Sequence, residues 1–509
     1  MDEEAEKEMA ETESPASFSE EEDGSSGGDN ARLLASDGLY LPCMKSHLYS
    51  NFLLFCIFYA IPHATVDAVL AFSSAELGSK VGALGGFTLY ITYTLSALVM
   101  AKPLLNTLGP KNGVLVGLLS LLVYVAFFYL AILNKSAAQP VFILGSGVGG
   151  LGAGVLWTAQ GSYYSLNAEL YASQEGLDKE KVLNNFAAIF AAFYLSFEAG
   201  FKLIATAIYL AERDSGDNSW RSVVFGLYTV AAFVSIVCYC YFTLPLEPKG
   251  ASASEHGLVM ETYSSSGHDA STADAVIADS SSKGGREGSG GVGREGGGGW
   301  DYTGLIIDAS AVAQSLRKSQ LLRYMIPYQL CFGLNAGLIN TYINGIVIND
   351  YRGDGYIGLL NGLATLAAVA LAAPYAFVSN YGGYGGGGKW YVMVFGLVCF
   401  TFSGLAMLAA SDATISQWSF IVPFFLVHGA ARGVWENTNK AVIAEYFADP
   451  YLRDAAFASV YFASGLAGAV GFLLFEFLSR DALAAVNLGI PLLALVTYHR
   501  SYQLYKDKL

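Results

Sequence analysis

The 509-residue chain is poor in charge: 14% of its residues are Asp, Glu, Lys or Arg, against 53% that are hydrophobic. A water-facing chain carries about 25% charged residues, so a wholly soluble protein is excluded and lipid must solvate much of this one. Basic residues are scarcer than acidic ones, 28 against 43, and no run of them forms a patch, so no nucleic-acid partner is expected. The six cysteines include five within or at the ends of apolar stretches, Cys56, Cys238, Cys240, Cys331 and Cys399, where no oxidising compartment reaches them. No His/Cys cluster has metal-ligand spacing and no nucleophile stands beside a base, which points away from an enzyme, a metal or a cofactor. The glycine run from Gly145 to Gly154 imitates a phosphate-binding loop, but it lies inside an apolar stretch and reads as close helix packing.

Two segments lack apolar residues instead. Residues 1–48 form an acidic disordered cytosolic tail, with twelve acidic side chains and one lysine before residue 30, so most of the net charge of −15 is a property of the tail. Residues 244–320 form a Gly/Ser-rich disordered cytosolic linker, whose end carries a short amphipathic helix over Leu305, Ile306, Ile307, Ala311, Val312 and Leu316.

Long uncharged runs fill the rest. Gly113 to Leu133 contains no charge and matches the length that crosses ~30 Å of hydrocarbon as a helix. Comparable spans are predicted near 49–72, 81–101, 140–164, 184–210 and 222–243, then 322–348, 355–379, 389–411, 417–441, 454–478 and 482–499. The expectation is an all-α integral membrane protein of about 12 transmembrane helices. An N-terminal six-helix bundle occupies 49–243, a C-terminal one 321–500, and 501–509 is a cytosolic tail. The tail lacks a signal-peptide layout, so the first span is expected to stay as an anchor. Basic loop residues put both termini in the cytosol. Asn134-Lys135-Ser136 is then a candidate glycosylation site on the outer face. Asp29 with Leu33 and Leu34 has the spacing of an acidic dileucine signal, which clathrin adaptors read; this fits an endolysosomal, vacuolar or plasma membrane.

A charge at the bilayer centre costs roughly 3 kcal/mol on insertion scales, so charged residues in spans should face a cavity or one another. His428, Arg432, Glu436 and Lys440 recur every four residues and form one stripe; Glu198 and Lys202 are also four apart, as are His63 and Asp67 just after Pro62. Gly152-Ala153-Gly154-Val155-Leu156-Trp157-Thr158-Ala159-Gln160 is echoed by Gly429-Ala430-Ala431-Arg432-Gly433-Val434-Trp435 in the second half, the mark of an internally duplicated membrane protein with a site between its halves. Candidate substrate-binding or gating residues are Arg432, Glu436, Trp157, Gln160, Trp435, Asn335 and Asn340. Candidate coupling residues are Asp67, His63, Glu198 and Lys202. Structural roles compete for each: the charges as locks between helices, the amides as interhelical glue, the Gly-flanked tryptophans as close-packing devices.

Gly150 to Ser165, Asn184-Asn185-Phe186-Ala187-Ala188-Ile189-Phe190, Gly433-Val434-Trp435-Glu436-Asn437-Thr438-Asn439-Lys440-Ala441 and Arg453-Asp454-Ala455-Ala456-Phe457-Ala458 resemble the uncoordinated-93 (Unc-93-like) family, a divergent branch of the major facilitator superfamily. The resemblance implies two pseudo-symmetric six-helix bundles, with the first, fourth, seventh and tenth helices lining a central cavity. The chain departs from the family in carrying Arg432 where an acidic residue is usual, and Glu436 and Glu198 where Gln is common. Leu108-Gly109-Pro110-Lys111-Asn112-Gly113 also lacks the Asp and Arg of the major facilitator loop signature. The family implies either a transporter by fold or an accessory protein that binds and traffics or modulates another membrane protein, such as an ion channel or receptor. The intramembrane charges favour the first, a transporter that moves a small polar solute by alternating access with coupling to protons or cations, and the accessory role is the alternative.

Overall fold

The computed structural model describes residues 47–212, 219–246, 316–380, 387–447 and 450–508. The acidic tail with Asp29, Leu33 and Leu34, almost all of the linker, and the amphipathic helix expected before Leu316 lie outside the described residues. Among the described residues, twelve long helical segments cross the molecule. The first six are α1 (His47–Leu77), α2 (Ser79–Val99), α3 (Ala101–Leu133), α4 (Ala138–Glu175), α5 (Lys179–Glu212) and α6 (Trp220–Phe242). The second six are α7 (Gln320–Leu338, continued by the π-helical Ile339–Ile348), α8 (Ile357–Asn380), α9 (Gly387–Ala409), α10 (Trp418–Val434, the π-helical Trp435–Asn439, then Lys440–Tyr446), α11 (Pro450–Phe477) and α12 (Arg480–Lys506).

Hydrocarbon offers the backbone no hydrogen-bond partner, so every span is helical. Among the described residues, eleven helices are long and apolar enough to cross a membrane; the twelfth segment, α10, carries the charged stripe. Large apolar side chains such as Val230, Tyr241, Phe377 and Val496 stay exposed on the outer surface, where lipid covers them. Pro62 interrupts α1 and cannot donate to the carbonyl of Phe58; that carbonyl accepts instead from Ser235 Oγ of α6, at 3.0 Å.

Two expected loops turn out helical. The stretch after α2 joins α3 and breaks only at Gly109, whose φ of 74° suits a residue without Cβ. Lys111 then donates to the carbonyls of Thr243, at 2.6 Å, and Cys240, at 3.3 Å, satisfying the end of α6. At the other end of the chain, α12 continues to Lys506, past the boundary expected at 500.

Between bundles, α2 packs on α11, α5 on α8, and α1 on the π-helical part of α7. Exchanging each helix for the one six places on turns the first pair into the second and maps the third onto itself. The contacts therefore obey a pseudo-two-fold axis, and the crevice along it is the natural place for a ligand. The Gly-rich echo has a packing meaning within this frame. A Cβ on Gly154 of α4 would collide with the Ala97 backbone of α2, and one on Gly429 of α10 would collide with Ala364 of α8, the equivalent pair.

Gly154→Leu should therefore cost about 1–3 kcal/mol of stability by overpacking, seen as a lower thermal midpoint of the purified protein in detergent. Gly161→Leu, on the same helix with nothing within 4 Å of the added Cβ, should not lower it.

Candidate functional site

A cavity of about 200 Å³ lies between the bundles. Its walls come from both halves: His63 and Asp67 on α1, Trp157 on α4 and Lys202 on α5 face Asn340 on α7, Asn361 on α8 and the α10 stripe of His428, Arg432, Glu436 and Lys440. Trp435 closes one side, and Tyr90 and Tyr93 of α2 and Tyr461 of α11 complete it.

Glu198 sits behind this wall with no solvent exposure. Arg432 reaches it from the other bundle and donates through both terminal nitrogens, Nη1 to Oε1 at 2.5 Å and Nη2 to Oε2 at 2.6 Å. Lys202 Nζ adds a bond at 2.5 Å and Thr365 Oγ1 of α8 one at 3.1 Å. One carboxylate thus joins α5, α8 and α10. The fork of a guanidinium fits a carboxylate in this way, and in low dielectric each charge depends on the other for its solvation. Asp67 is held differently. Arg432 and His63 Nδ1 each stand 3.8 Å from it, so Asp67 and Glu198 flank the same guanidinium.

Spacing along α10 suggested that Arg432 and Glu436 could pair with each other. They do not: Arg432 finds Glu198 across the interface, and Glu436, inside the π-helical turn, accepts from Lys440 at 2.8 Å. Two of the candidate amides lie off the cavity wall. Asn335 points away from the cavity toward α9, donating to Ser403 Oγ at 2.6 Å and accepting from His428 Nδ1 at 2.7 Å. Since Asn335 spends its Nδ2 on Ser403, the network assigns the His428 proton to Nδ1. Gln160 is half-buried and absent from the cavity wall, one helical turn beyond Trp157.

The remaining candidates are placed as follows. Trp435 stacks on Phe332, with ring centroids 3.9 Å apart, and its Nε1 donates to Gln329 Oε1 at 3.0 Å. Trp157 lies in a ring cluster with Tyr59, His63 and Tyr194. Asn340 lines the cavity while its Nδ2 donates to the carbonyl of Ala336 at 2.9 Å. Asn134 is exposed and caps the end of α3. Sequence reasoning missed the tyrosines. Tyr90 and Tyr93, three residues apart on one face of α2, carried the only available signal.

A second charged cluster joins the bundles at the end where α1 meets α2. Arg221 of α6 donates through Nε to Glu76 at 2.6 Å and through Nη2 to Asp354, which precedes α8. Nearby, Thr206 of α5 donates to Gly355 O at 2.7 Å and accepts from Leu359 N at 2.8 Å. Toward the opposite end the α10 stripe becomes more accessible, from 14% at Arg432 to 34% at Lys440. The bundles are thus tied by charge at one end, and the stripe is more accessible toward the other.

Residues 74–266 match the family described as "Ion channel regulatory protein UNC-93". No curated protein matches the sequence. Solved structures of similar shape include a D-xylose–proton symporter, at 13% identity and TM-score 0.57 over 89% of this chain and 95% of that one. The inward-open xylose transporter XylE from E. coli is similar at 12% identity and TM-score 0.55, over 90% of this chain and 94% of that one. A point mutant of the nucleoside transporter NupG is similar at 11% and 0.55, over 90% and 100%. At these identities the likeness establishes the fold: this chain has the all-α, multi-pass architecture of major facilitator transporters.

The site makes an asymmetric stability prediction. Glu198→Gln leaves Arg432 and Lys202 without their shared anion and should cost about 3–5 kcal/mol. Arg432→Gln leaves the Glu198–Lys202 pair in place, so its thermal midpoint should fall clearly less. Equal losses in parallel melts would show that Glu198 does not serve both cations.

Proposed function

We propose that this UNC-93-like chain, on its major facilitator fold, moves a small polar solute across a membrane by alternating access of its two bundles. The observation that supports this most is the Glu198–Arg432 bridge. It spans the bundles beside a charged cavity, where apolar residues would pack two rigid halves at lower insertion cost. Arg432 and Glu436 contact or gate the solute, Trp157 and Trp435 form its walls with Asn340, and Asp67 with His63 couples its movement to protons or cations. Rocking of the bundles would open the Glu76–Arg221–Asp354 seal and close the other end. The termini lie in the cytosol, so the more accessible Lys440 end of the stripe faces the cytosol and Asn134 the outer side. Leu33 and Leu34, with Asp29, would recruit a clathrin adaptor and draw the protein from the plasma membrane toward endolysosomal or vacuolar membranes. Reversible binding uses all of these groups, and bond-making chemistry is not needed to account for them.

The printed description of the matched family supports a second reading, in which the bundles are a scaffold that binds an ion channel or another membrane protein and modulates it. Uptake separates the two readings. Cells expressing a Leu33→Ala/Leu34→Ala variant, meant to hold the protein at the surface, would be given a mixed isotope-labelled metabolite pool, beside Arg432→Ala and Glu436→Gln versions. Transport predicts accumulation of a solute above control, with at least about a tenfold loss in the cavity variants at equal surface expression, equivalent to about 1.4 kcal/mol or more of lost stabilisation. Surface protein that moves nothing under imposed pH and potassium gradients would sink transport in favour of the scaffold.

A further inference from the structure

We propose that the cavity takes up a small organic anion together with one proton, the proton on Asp67 and the anion beside Arg432 and Lys202. This rests on the transport reading above and names its substrate class. Glu198 receives Arg432 twice, Lys202 and Thr365, all within 3.1 Å, and a carboxylate with that many donors stays charged. Asp67 shares Arg432 with it but stands 3.8 Å from both Arg432 and His63, with no donor so close. Two carboxyl groups around one guanidinium do not both ionise cheaply when only one of them has close donors, so a proton arriving here settles on Asp67.

Charge then dictates the partner. With Asp67 neutral, Arg432 and Lys202 outnumber Glu198 by one positive charge, while Lys440 and Glu436 cancel each other at 2.8 Å. An uncompensated charge inside a membrane is costly. It can be cancelled by a bound monovalent anion, or by loss of the Asp67 proton. Anion and proton therefore bind together or leave together, a linkage that follows from charge alone. The other ionisable groups facing Asp67 do not alter the count. They are His63 and Tyr59 on its own helix, Tyr90 on α2, Tyr124 on α3, Tyr194 on α5 and Glu436 on α10. The tyrosines are neutral, Glu436 is already paired, and His63 Nδ1 is buried without a hydrogen-bond partner, as befits an uncharged ring. Tyr90, Tyr93 and Tyr461 offer hydroxyl donors to an anionic head, and the rings of Trp157 and Phe332 offer a surface to an apolar body. The cavity, about 200 Å³, restricts that body to a small one.

Three probes with one body and different charge test this: benzoate, benzyl alcohol and benzylamine, titrated calorimetrically into the purified full-length protein at pH 6 and pH 8. Repeating each titration in buffers of different ionisation enthalpy counts protons. Benzoate alone should bind, tighten at least about tenfold from pH 8 to pH 6, and take up close to one proton at pH 8. Asp67→Asn should bind benzoate equally at both pH values with no proton uptake, a result that a merely structural Asp67 would not give. Arg432→Gln should lose benzoate; because that variant can also lose fold, the Asp67→Asn proton count carries the decision. Benzylamine that binds more tightly at pH 8 and releases a proton would overturn the anion in favour of cation–proton exchange. Benzoate affinity independent of pH, or no binding by any probe, would overturn it outright. In either case uptake of some other solute in the assay above would leave the transport reading standing, whereas absence of uptake removes that reading itself.

Discussion

A buried carboxylate in a membrane protein is tolerable only if other groups replace the water it has lost, and Glu198 recruits those groups from three helices and both bundles. Arg432 depends on Glu198 where it stands, since the other carboxylate near its guanidinium, Asp67, is 3.8 Å away against 2.5 Å for Glu198. The cavity follows from this pairing. Arg432 is drawn toward α5, which leaves Glu436 to Lys440 and leaves Asp67 beside a saturated anion. Arg432, Glu198, Lys202 and Asp67 thus belong to one electrostatic unit.

Packing supports this unit by shape. The Gly-rich segments bring α4 against α2 and α10 against α8 at backbone contact, which fixes the faces that α4 and α10 turn toward the crevice. Tyrosines with buried rings, such as Tyr59 and Tyr194, pack around His63 beside the cavity. The polar interior is consequently small, and apolar side chains remain for the lipid-facing surface.

The architecture was legible in the sequence because the bilayer imposes one length and one hydropathy on every span, and because the duplicated Gly/Trp segments betrayed the two halves. The charged stripe on α10 was legible for a similar reason: insertion cost makes any intramembrane charge conspicuous. Its partners were not. Spacing along a helix favours neighbours four residues away, so Arg432 was offered Glu436, whereas the true acceptor comes from a helix more than two hundred residues earlier. Asn335 and Asn340 look alike in sequence, five residues apart; a rotation of the helix decides that one bonds to α9 and the other lines the cavity. Gln160, one turn beyond Trp157, is likewise off the wall. Helix α3 carried a further hidden feature, a lysine in an expected loop that instead serves the carbonyl end of α6.

Among the described residues, the two π-helical stretches both lie in the second bundle, in α7 and α10. Their counterparts in the first bundle, α1 and α4, are α-helical at the cavity, with Pro62 as the one interruption. A π-helical turn is a wider coil with poorer hydrogen bonds, and it can return to α-helix by shifting one residue along the axis. The two halves are therefore unequal in stiffness despite their matched topology. When the molecule flexes, the first bundle behaves as the anvil, and the second carries the deformable joints on the very helices that present Asn340, Arg432 and Glu436.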